Sequence, residues 1–142
     1  MRVIARIMAV ISVALATYSC LSPQNAVMVG VDLNSWDKVK SVVYENSDTL
    51  SLRNLNIAIR YNSNFEEGSL PLKLAIMTPD NRIFQDTISL QLERSSAAVA
   101  ISTTESRPYR TDVLLNQKGS YIFAFKPLIE VRGVEAIGIE LE

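Results

Sequence analysis

The sequence predicts an all-β domain: an antiparallel β-sandwich, immunoglobulin-like or jelly-roll-like, of seven to eight short strands after an N-terminal signal helix. Three observations predict it. Apolar residues recur at every second position, the period of a strand with one buried face. Short clusters of Asn, Asp, Gly, Pro and Ser separate these runs. Beyond the N-terminal segment, no long stretch keeps a helical period.

Residues 1–19 read as a signal peptide. They hold Arg2 and Arg6 and no acid, and Ile7 to Ala16 is apolar apart from Ser12. As a helix that run would span about 15 Å, half of the roughly 30 Å hydrocarbon layer. A positive start, a short apolar run and small residues at its end form a secretory pattern. A buried amphipathic helix or a short anchor is the other reading. The abrupt change to Leu21-Ser22-Pro23-Gln24-Asn25 argues against a core helix.

Cys20 is the only cysteine, so an intrachain disulfide is excluded. It follows the segment 1–19 directly, and Thr17-Tyr18-Ser19-Cys20 resembles a lipobox, in which the cysteine is acylated and becomes the new N-terminus. Thr17 departs from that pattern, which usually has an aliphatic residue there. An ordinary cleavage site with a stray cysteine is the alternative. Two or three acyl chains would make the anchoring stable, where one is marginal. Residues 20–30 then read as a lipidated tether and residues 31–142 as the sandwich domain. Without Arg2 and Arg6, 14 basic groups become 12 against 15 acidic ones, a net charge of −3. That mild acidity offers no footprint for nucleic acid and no polybasic membrane patch.

The strands follow in order. One is expected from Val39 to Glu45. Leu55, Ile57, Ile59 and Tyr61 alternate with Asn56, Ala58 and Arg60. Leu70 to Met77 and Ile83 to Leu92 flank Pro79-Asp80-Asn81, where proline fixes φ and Asp or Asn tolerates the left-handed region. They are therefore expected to form an antiparallel hairpin, which is preferred there over a calcium site. Ala97 to Ser102 is a further expected strand. Thr103 to Pro108 reads as a loop and Asp112 to Leu115 as a short edge strand. Tyr121, Phe123 and Phe125 form the next row, and Ile137, Ile139 and Leu141 the last.

The residue inventory narrows the chemistry. There is no histidine, which removes Ser-His-Asp and Cys-His catalysis and the histidine-bearing zinc sites. The five glycines are scattered and form no phosphate loop. No metal site and no cofactor is expected. Glu66-Glu67 beside Gly68 reads as a solvated loop. Asp86 inside an alternating strand either faces solvent or accepts a hydrogen bond that fixes the backbone. No catalytic residue is assigned, and the chain is expected not to be an enzyme; a carboxylate hydrolase is a distant third reading.

Two aromatics are candidate binding residues. Trp36, the single tryptophan, lies among Asp32, Asn34 and Asp37 and could stack on a sugar or anchor a partner. Packing over the end of a core is its commoner role. Tyr109, flanked by Arg107, Pro108 and Arg110, carries the same two readings. Arg107, Arg110 and Arg132 read as solvated charges.

The motifs taken together resemble a known family. They are the lipoprotein signal, Trp36 before a strand ending near Tyr44, Leu55-Asn56-Ile57-Ala58-Ile59-Arg60-Tyr61-Asn62, and Leu70-Pro71-Leu72-Lys73-Leu74. Thr78-Pro79-Asp80-Asn81, Gln85-Asp86-Thr87-Ile88, Gly119-Ser120-Tyr121-Ile122-Phe123 and Arg132-Gly133-Val134-Glu135-Ala136-Ile137-Gly138-Ile139-Glu140 complete the order. The chain resembles the gliding-motility lipoprotein H (GldH) family of Bacteroidota over nearly the whole mature length; the stretch from Ser95 to Pro108 aligns poorly. The resemblance implies a lipid-anchored protein of the cell envelope, at the outer membrane, linked to gliding motility and its associated protein-secretion machinery. It brings no catalytic residues with it. The expected function is thus a non-enzymatic accessory or scaffold lipoprotein that contacts other envelope proteins. A glycan-binding surface lipoprotein using Trp36 or Tyr109 is the alternative.

Overall fold

A computed structural model describes residues 25–93 and 102–142. Eight strands follow in chain order: β1 (Ala26–Gly30), β2 (Lys40–Asn46), β3 (Leu52–Tyr61), β4 (Ser69–Met77), β5 (Ile83–Gln91), β6 (Thr103–Leu114), β7 (Gly119–Pro127) and β8 (Val134–Leu141). They form two four-stranded antiparallel sheets, β1-β8-β3-β6 and β2-β7-β4-β5. Only β4 and β5 are consecutive within one sheet; every other connection crosses to the opposite sheet. This is the order of a jelly roll rather than of an immunoglobulin sandwich, whose hairpins lie within its sheets. The described residues contain no helix. The signal segment, Cys20 and residues 97–101 of an expected strand lie outside the described residues.

The alternation read from the sequence decides which face is buried. On the first sheet Val27 pairs with Ile139, Ile139 with Ile57 and Ile57 with Arg107. The next inward row is Val29, Ile137, Ile59 and Glu105. On the second sheet Val42, Phe123, Ile76 and Phe84 are register partners, as are Phe125, Leu74 and Asp86. Ile57, Ile59, Leu72, Leu74, Phe123, Phe125, Ile137 and Ile139 are fully buried between the sheets. Each such side chain contributes about 1.5–3 kcal/mol by leaving water.

Three assignments are corrected. Residues 26–30, assigned to the tether, form β1, so the domain begins ahead of Val31. Val27 and Val29 pack against the core while Ala26, Met28 and Gly30 face outward, a two-residue period too short to stand out beside polar Pro23-Gln24-Asn25. Residues 103–108 are not a loop but the first half of β6, and the edge strand expected from Asp112 is the end of the same long element. Its inward positions near the start hold Glu105 and Arg107, which pair with each other at 2.7 Å. Charges pointing inward on an edge strand are a known device against edge-to-edge association, and they erase the hydrophobic alternation. Ser102, the last residue of the strand expected from Ala97, lies just ahead of β6 and outside it.

The hairpin of β4 and β5 is present with nine paired positions from Ser69–Gln91 to Met77–Ile83. At its turn Asn81 has φ 64°, and Asn81 N donates to Thr78 O at 2.9 Å. The Asp80 carboxylate accepts from Thr78 Oγ1 and from Arg82 Nε, and these contacts close the corner.

Candidate functional site

One end of the sandwich gathers the β4–β5 turn, the β6–β7 connection and both ends of the described chain: Leu141 N donates to Asn25 O, and Asn54 and Glu142 exchange two backbone bonds of 2.8 and 3.0 Å. Arg53 seals part of this end. Its guanidinium donates to Tyr44 Oη and Asn46 Oδ1, both at 2.8 Å, while Asn46 Nδ2 donates to the carbonyls of Leu115 and Gln117. Beside that plug, towards the β5 and β6 edges, the sheets part to leave an open-sided cleft of about 420 Å³. Leu55, Ile76, Phe84, Val113 and Phe123 supply its apolar lining, and Arg82 and Arg110 its cationic rim. Phe84 is 55% exposed there, a large cost for an aromatic ring unless something covers it.

The shape of β6 produces this cleft. Against β3, Asn56 pairs with Pro108 and Leu55 with Arg110, so Tyr109 is an extra residue; a second extra residue falls between Arg110 and Val113, where Asp112 has φ 53°. Bulges bend a strand and re-aim its side chains. Here the first brings both Tyr109 and Arg110 round to the cleft, where simple alternation would have sent one of them away. The Arg110 guanidinium lies 5.1 Å from the Tyr109 ring centre. Tyr109 Oη donates to Asp86 Oδ2 at 3.0 Å, and Arg110 Nη2 reaches the same oxygen at 3.4 Å. Burial, and then the Asp86 carboxylate, push the Tyr109 hydroxyl above its ordinary range, so it remains a donor at neutral pH.

Trp36 lies at the opposite end. It is 1% exposed, bridges Val131 through two backbone bonds of 2.9 and 3.1 Å, and spends its Nε1–H on Lys38 O at 2.7 Å. Its assignment as a binding residue is therefore corrected: the ring has no face left for a sugar and its donor is used. Trp36 and Tyr109 are not brought together. No aromatic side chain stands on the outward face of either sheet among the described residues, since those in the strands take the inward register.

The acidic groups do not converge. Glu66 and Glu67 line a polar hollow with Arg132 near the β3–β4 connection, while Asp80 and Asp86 are taken up by the turn and by Tyr109. Among the described residues no group of three or more carboxylates could hold a metal ion. Arg107, read as solvated, is instead turned inward and half-buried beside Glu105.

A second surface feature was hidden from sequence reading because it depends on register. On the outward face of the second sheet, Val43 pairs with Ile122, Ile122 with Met77 and Met77 with Ile83. These four apolar side chains form one straight row across every strand of the sheet. Val43 is 49% and Ile83 61% exposed. The neighbouring row, Ser41, Ala124, Ala75 and Gln85, is low, and beyond it Lys126 and Lys73 stand side by side. Among the described residues no helix is long and apolar enough to cross a membrane. No protein-family model and no curated protein matches this chain.

Proposed function

We propose that the protein is a non-enzymatic accessory lipoprotein of the cell envelope, acylated at Cys20, held at the outer membrane and docked to other envelope proteins through the outward face of the β2-β7-β4-β5 sheet. The observation that carries this reading is the row Val43, Ile122, Met77 and Ile83, a contiguous apolar ridge across all four strands of the sheet. Exposed apolar patches rimmed by polar groups mark contact sites in soluble domains. The low alanine row beside the ridge gives it a valley, the relief that a complementary surface needs. The gliding and secretion machinery is the assembly that the family resemblance suggests as partner.

Anchoring would act through distance. Six peptide units from Cys20 to Ala26 reach at most about 20 Å. The sandwich would therefore ride close to the lipid, with the end that holds Asn25 nearest to it. Dispersed glutamates and aspartates make electrostatic adhesion to anionic lipid weak, so the acyl groups would provide the attachment.

The test places a photoreactive side chain at Ile83, in the row, and at Thr87, on the same strand outside it. Crosslinks from Ile83 to discrete envelope proteins, lost when Val43→Asp is added, are expected. Equal patterns from both positions would refute docking by this face. In parallel, labelled palmitate should enter the chain and be absent from Cys20→Ser; label in both would refute acylation at that sulfur.

A further inference from the structure

We propose that the cleft between the β4–β5 turn and the bulged end of β6 binds a single-chain anionic amphiphile, its acyl chain on Phe84, Val113 and Leu55 and its head group on Arg82 and Arg110. The lining has the composition of a ligand site: an apolar floor, a few polar groups at the mouth, and a volume of about 420 Å³ that suits one chain rather than two. Two guanidinium groups line it and no carboxylate does. Asp80 and Asp86 balance those cations from outside the lining, Asp80 at 2.8 Å from Arg82 and Asp86 at 3.4 Å from Arg110. Such exposed pairs contribute little to stability, so either arginine can turn to an incoming anion at small cost.

Three features set this cleft apart from an ordinary gap. Phe84 is held in the inward register by Ile76 yet stays half exposed, so a bound chain would cover a ring that the fold leaves wet. The bulge at Tyr109 brings Arg110 to the cleft edge. The cleft also opens at the end of the sandwich where Asn25 enters, within about 15 Å laterally of β1 given strand spacing. If Cys20 is acylated, this end faces the lipid surface, where such amphiphiles are found. That last argument alone rests on the proposed anchoring.

The experiment uses the chain from residue 20 carrying Cys20→Ser, which keeps every core residue and removes any acyl group. Its failure is thus separable from failure of the anchoring. A dansyl-labelled undecanoic acid is titrated in, and its blue-shifted emission should saturate at one probe per chain. Dodecanoate or dodecyl lysophosphatidylglycerol should displace it, the tighter competitor naming a free acid or a membrane lipid as the source. Dodecanol should compete about tenfold less well or worse, because it lacks the charge-assisted contacts. Phe84→Glu, at a half-exposed position, should abolish binding, and Arg82→Gln with Arg110→Gln should weaken it about tenfold or more while thermal stability changes little. Absence of saturable binding, displacement by neither anion, dodecanol competing equally, or binding untouched by Phe84→Glu would each overturn the proposal.

Discussion

Tyr109 and Asp86 tie together the two edge strands that no backbone ladder connects: the Tyr109 hydroxyl donates to Asp86 Oδ2 at 3.0 Å, from β6 in one sheet to β5 in the other. The contact spans the open flank of the sandwich, and Tyr109 lines the cleft. Tyr109→Phe keeps the ring and removes the tie. It should cost about 1 kcal/mol, the net value of a hydrogen bond of this kind. Asp86→Ala removes the acceptor and should cost at least as much, because Thr87 N also loses its bond to Asp86 Oδ1. The double variant should cost less than their sum, since both remove one interaction. Urea unfolding of the four proteins measures this directly; strict additivity would mean that the tie contributes nothing in solution.

Gly133 combines a positive φ with a close backbone approach. Its φ is 81°, and a Cβ built there would lie 2.2 Å from Phe65 N and 2.9 Å from Phe65 Cα. Around it, Asn62 N donates to Gly133 O and Gly133 N donates to Leu33 O, so the segment cannot slide away without breaking either bond. Phe65 is itself buried and meets the Tyr61 ring edge-on at 5.9 Å. Gly133→Ala therefore combines backbone strain with a backbone clash and should destabilise by about 3 kcal/mol or more. Gly68→Ala is the contrast: its φ is 73° but nothing lies within 4 Å, so strain acts alone and about 1 kcal/mol is expected. Equal losses in thermal unfolding would argue against the clash at Gly133.

What the sequence made legible follows a physical line. β2, β3, β4, β5, β7 and β8 are legible because a one-sided buried strand must alternate, and the β4–β5 hairpin because Pro79-Asp80-Asn81 spells its corner. β1 was missed because five residues hold too few alternations, and β6 because its inward positions include Glu105, Arg107 and Tyr109 instead of aliphatics. The candidate sites were less legible. Tyr109 stands out in the sequence by its flanking arginines, whereas Phe84 reads as one strand residue among others, and its exposure shows only in the fold. The row from Val43 to Ile83 joins residues 40 positions apart and exists only once the register is known. For Trp36 the commoner of its two readings, packing over the end of the core, is the one that holds; its polar sequence neighbours say nothing about what covers the ring.

Trp36 supplies a prediction for both stability and spectroscopy. Being the single tryptophan and 1% exposed, it should emit at short wavelength in the folded protein and shift to the red on unfolding. Trp36→Ala should cost about 3–5 kcal/mol by leaving a cavity where the Trp36–Val131 bridge closes the end of the sandwich. Trp36→Phe should cost less, retaining much of the volume and losing the bond to Lys38 O. If Trp36 served a sugar instead, iodide would quench its emission in the native state and glycan would protect it. Native-state quenching close to that of free tryptophan would contradict the packing described above.

Tyr61 sets an alkaline limit. Its ring is buried, and its hydroxyl donates to Glu93 O at 3.1 Å. Burial first, and then the neighbouring Glu105 carboxylate, push its ionisation from the ordinary 10.0 up to about 12. Between those values the unfolded chain has released a proton that the folded chain still holds. The folded state then binds more protons, so stability falls as pH rises through that window. Below pH 10 the Tyr61 contribution is complete; above about 12 it has been lost. Unfolding free energy measured in urea should thus be insensitive to Tyr61 near neutrality and decline from pH 10 upward. Tyr61→Phe should flatten that decline, leaving the smaller slope that Tyr109, also raised by burial, contributes. A variant with the same alkaline slope as the parent would show that the Tyr61 hydroxyl titrates as freely in the folded protein as in the unfolded chain.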